Sequence, residues 1–64
     1  MFFRNLRHFR DARNRFDELV KGGMDADLAG DQVVEEARAK GIDPTTIMAI
    51  ISLIMQLIEL FKKK

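Results

Sequence analysis

Asp25, Asp27, Gly30 and Glu36 occupy the first, third, sixth and last positions of the stretch DADLAGDQVVEE. An EF-hand loop uses that spacing to present carboxylate oxygens to calcium, with the glycine allowing its sharp turn. Two departures count against calcium. Ala29 stands where another oxygen ligand is needed, and Gln32 stands where the loop normally carries an apolar residue. Calcium asks for roughly six to eight oxygens, so losing one weakens a loop that already lacks a paired hand. The structural alternative assigns Asp25, Asp27 and Asp31 to turns and caps, with Glu35 and Glu36 complementing a helix dipole. On that reading the chain holds no metal.

The other residues able to do chemistry are sparse. His8 is the sole histidine and there is no cysteine, which excludes disulfides and a His/Cys zinc site within one chain. No Ser, Cys or acid stands at a spacing that would pair with His8 in nucleophilic catalysis. Its helical phase places it on a polar, solvated side. No phosphate-cradling glycine loop or nucleophile elbow is present, and 64 residues leave little room for an enclosed cleft of about 300 Å³ or more. The expectation is a non-enzymatic protein with no cofactor.

Arg4, Arg7 and Arg10 lie in FFRNLRHFRDARNRF, and Lys62, Lys63 and Lys64 close the chain. Arginine interleaved with phenylalanine suits an anionic membrane surface or, less directly, nucleic acid. Acidic neighbours offset this. Arg7, Asp11 and Arg15 form one i,i+4 series and Arg13, Asp17 and Lys21 another, which reduces the field that a phosphate would feel. The preferred reading is a salt-bridged outer face over buried phenylalanines. Membrane-surface binding comes second. Nucleic acid comes third, because stacking on bases needs separated, exposed rings.

Three helices must position these groups. Phe2, Leu6, Phe9, Phe16 and Val20 recur at helical spacing, and Phe2, Phe9 and Phe16 superimpose into a ridge. Gly22 and Gly23 end this first helix, which is expected over 2–21. A second, expected over 27–40 with Gly41 just beyond it, carries the small stripe Ala26, Gly30, Val33, Ala37 and Gly41. The third has the clearest start. In GIDPTTI, Asp43 is the N-cap, Pro44 takes the first helical position, and Ile42 can staple onto Ile47, giving a helix over 44–62.

That third helix is apolar around most of its circumference. Thr45, Ala49, Ser52, Gln56, Glu59 and Lys63 form one narrow small or polar line, and nearly everything else is Ile, Leu, Met or Phe. The mainly apolar, uncharged stretch runs from Ile47 to Ile58. Even extended to Phe61 it covers roughly 22 Å, short of a bilayer core of about 30 Å. A membrane-crossing helix is therefore not expected. No secretory signal is evident, since Arg4 interrupts the first apolar residues, and a cytoplasmic or assembly-associated setting is expected.

The fold class is thus all-α, one small three-helix domain over residues 1–64. A core of this size rarely supplies more than about 3 to 5 kcal/mol, and a Phe ridge with a small-residue stripe cannot cover so apolar a third helix. Completion by self-association or a protein partner is expected. The expected interaction face is Ile47, Ile50, Ile51, Ile54, Leu57, Ile58 and Phe61. The function expected is that of a helical subunit or adaptor.

Overall fold

A computed structural model describes residues 2–63, with side chains from Leu6 onward. Phe2 and Arg4, as side chains, and Lys64 lie outside the described residues. The fold is an all-α bundle of α1 (Phe2–Lys21), α2 (Ala26–Ala39) and α3 (Pro44–Lys62).

The helix boundaries follow from local chemistry. Both connections close as Schellman turns. Gly23 donates to the Val20 carbonyl and Met24 to that of Leu19, while Gly41 donates to Arg38 and Ile42 to Ala37. Gly23 and Gly41 have φ of 105° and 79°, a region where a Cβ is strained. Asp25 caps α2 by accepting from the Asp27 N–H, so this helix begins and ends one residue earlier than expected. At α3 the Asp43 carboxylate accepts from the Thr46 N–H at 3.1 Å and from its hydroxyl at 2.8 Å. Pro44 follows at the start of the helix, where its missing N–H has no helical partner to lose.

The core joins Ala12 and Phe16 of α1 to Ala29, Val33 and Ala37 of α2 and Ile47, Ile50 and Ile54 of α3. Phe16 and Ile50 are fully buried, and burying side chains of this kind contributes about 1.5 to 3 kcal/mol each. Phe9 packs against the same cluster. The small stripe lets α2 approach α3 closely: a Cβ on Gly30 would stand 2.7 Å from Ile54 Cγ2. Buried Thr46 has its hydroxyl satisfied by Asp43.

The ion pairs differ from the two intrahelical series expected on α1. Arg15 turns across to α2, where its guanidinium meets the Glu36 carboxylate at 3.0 Å, and also reaches Glu18 at 2.9 Å. Among the described residues, neither the Arg7–Asp11–Arg15 nor the Arg13–Asp17–Lys21 series closes. A planar guanidinium can serve two carboxylates at once, and packing of α1 on α2 brings Glu36 within its reach.

Candidate interaction surface

The expected docking face is divided by the fold. Ile47, Ile50 and Ile54 are consumed by the chain's own core, and Ile51, Leu57 and Ile58 are half-buried against it. Phe61 is exposed on one side and rests edge-on against Phe16, with ring centroids 5.7 Å apart. The apolar side chains left most open on α3 are Met48 at 70%, Met55 at 63% and Leu60 at 64% exposure. None of these three was in the expected face. The richest isoleucine arc turned inward, as burial favours, and the methionines seven residues apart were left on its shoulder.

Length does not exclude a membrane for α3. Pro44 through Thr46 and Lys62 extend the helix to 19 residues, about 28 Å at 1.5 Å per residue. Its mean hydropathy reaches 1.8 over an 18-residue span, of which 22% is buried in the fold. By length and composition it is able to cross a membrane, which corrects the expectation drawn from the shorter apolar run. Phase adds what length cannot. Thr45, Ser52, Gln56, Glu59 and Lys63 are all exposed and form the outermost line of α3, with apolar shoulders to either side. A flat lipid surface would meet that polar line first.

One shoulder opens into a groove of about 490 Å³ between α2 and α3. Its floor is Gly30 and Ile54, its apolar walls include Val34, Ile51, Met55 and Ile58, and its rim carries Asp31, Glu35 and Arg38. Lys62 donates to Asp27 at 3.3 Å across one end, and Arg38 lies 3.9 Å from Glu35.

The opposite side of α2 carries a larger, open cleft of about 870 Å³, lined among others by His8, Asp11, Arg15, Lys21 and Glu36. His8 is half-buried here and not fully solvated as its phase suggested. The cleft's strongest charge is already engaged. Hydrogen bonds from Arg15 and then Gln32 hold the Glu36 carboxyl below the usual carboxylate range, while Glu36 and Glu18 push the Arg15 guanidinium further up.

The residues that resembled a calcium loop are laid out along α2. Asp25 caps its start, Gly30 faces Ile54, Asp27 meets Lys62 and Glu36 meets Arg15. A helix separates its ends by about 1.5 Å per residue, so Asp25 and Glu36 cannot close on one ion. Among the described residues no three metal-ligating groups converge.

The basic residues are also dispersed. Arg7 and Arg10 are exposed on the first half of α1, whereas Lys62 and Lys63 sit at the end of α3, where Phe61 meets the second half of α1. Phe9 and Phe16 point into the bundle, leaving neither ring free to stack on a base.

No protein-family model, curated protein or solved structure matches the chain.

Proposed function

We propose that this chain is a non-enzymatic structural protein that associates with copies of itself through the exposed shoulder of α3. The observation supporting this is the pair Met48 and Met55, 70% and 63% exposed beside a groove whose floor is apolar. Large apolar side chains gathered on one face and rimmed by charge characterise protein-binding surfaces. The polar outer line of α3 favours insertion of a helix beside it over contact with a lipid plane.

Sedimentation of the full chain, alongside the Met55→Lys variant, tests this reading. The expected mass exceeds the 7.4 kDa of one chain and falls to that value in the variant, with helicity unchanged because Met55 lies outside the core. A single-chain mass for the unmodified protein overturns the reading. Flotation of that monomer with anionic but not neutral vesicles would instead favour the membrane-surface function.

A further inference from the structure

We propose that α3 pairs with α3 of a second copy in antiparallel orientation about a two-fold axis, along the seam Met48, Ile51, Met55 and Ile58. This rests on the self-association reading above and adds the occupant, its direction and its register. Pro44, Met48, Ile51, Met55, Ile58 and Lys62 follow one another at alternating intervals of four and three residues. That is the spacing of a coiled-coil seam. An antiparallel pair sets Met48 against Ile58 of the second copy and Ile51 against its Met55.

Charge selects the direction. The Asp27–Lys62 bond and the approach of Gly30 to Ile54 fix α2 antiparallel to α3, placing Asp31 beside the Met55 half of the seam and Arg38 beside the Met48 half. A two-fold antiparallel pair brings Arg38 of each copy toward Asp31 of the other, and Asp43 toward Lys63. A parallel pair would set Arg38 against Arg38 and Asp31 against Asp31, and like charges in register are costly. Glu35, on the same rim, meets its own copy in either orientation, so it is the Asp31–Arg38 pairing that favours the antiparallel direction in an isologous interface.

Introduced cysteines report the orientation without ambiguity, since the chain has none of its own. A disulfide needs Cα atoms closer than about 7 Å, and the two copies of residue 48 in the antiparallel pair stand about 15 Å apart along the seam. On mild oxidation, Met48→Cys alone should remain uncrosslinked, while an equimolar mixture of Met48→Cys and Ile58→Cys chains should give a covalent dimer. Because Ile58→Cys disturbs a half-buried side chain, a second test uses the exposed rim. Arg38→Glu should raise the dimer dissociation constant by about tenfold, and Arg38→Glu combined with Asp31→Arg should restore it.

Crosslinking of Met48→Cys to itself, a mass above two chains, or indifference to both charge changes overturns the antiparallel dimer and leaves self-association standing. A single-chain mass removes both.

Discussion

Two carboxylates carry most of the polar specificity in this fold. Asp43 is held below the usual carboxylate range by the Thr46 hydroxyl and then the Thr46 N–H, and Glu36 is lowered chiefly by Arg15. Each therefore binds a proton less readily folded than unfolded. Their contribution is full above the ordinary carboxylate range and is lost as pH falls through the lowered values. The melting temperature should accordingly hold steady from neutrality to about pH 5 and decline below it. Thermal melts followed by circular dichroism check this, and Glu36→Gln should melt lower at neutral pH with a shallower acid decline. The Asp43 cap was legible because Asp-Pro before an apolar run names both cap and first helical residue. The Arg15–Glu36 pair was not: it joins groups 21 residues apart, and only the docking of α1 on α2 makes them neighbours. Local spacing offered Asp11 as the partner instead.

Among the elements, α2 packs tightly on α3 at Gly30. Alanine would favour the isolated helix by about 1 kcal/mol. Here its Cβ would lie 2.7 Å from Ile54 Cγ2 and 3.1 Å from Ile58 Cδ1. Ile54 is buried and β-branched, so it cannot swing clear, and overpacking of this kind costs about 1 to 3 kcal/mol. Gly30→Ala should destabilise the chain by about 1 kcal/mol net, read as a lower urea midpoint at unchanged slope. A stabilised variant would mean that α2 and α3 are further apart than described. All three helices and the small stripe were readable from periodicity and capping residues. The inward face of α3 was not, because a helix apolar nearly all round offers several arcs of similar hydropathy. Its orientation was set by where α1 and α2 lie, and that choice left Met48, Met55 and Leu60 outside.

At the scale of the whole molecule, the self-association proposed through the exposed shoulder of α3 would link folding to association. Mass action then makes stability depend on concentration. The melting temperature should rise by roughly 5 °C per tenfold increase in protein concentration, and Met55→Lys should remove that dependence. Chain length and apolar excess raised the expectation of a partner, whereas the charge pattern of the proposed rim could be read only from the antiparallel run of α2 and α3. Pro44 also limits how two copies can join. Small helical hairpins often exchange elements by straightening their connecting turn into one long helix. Continuing α2 through Pro44 would deprive the Lys40 carbonyl of its donor and drive the proline ring against it, at a cost of about 3 kcal/mol. The turn thus acts as a lock on topology: Pro44 disfavours trading the third helix between chains, so in the proposed dimer the copies meet as completed folds.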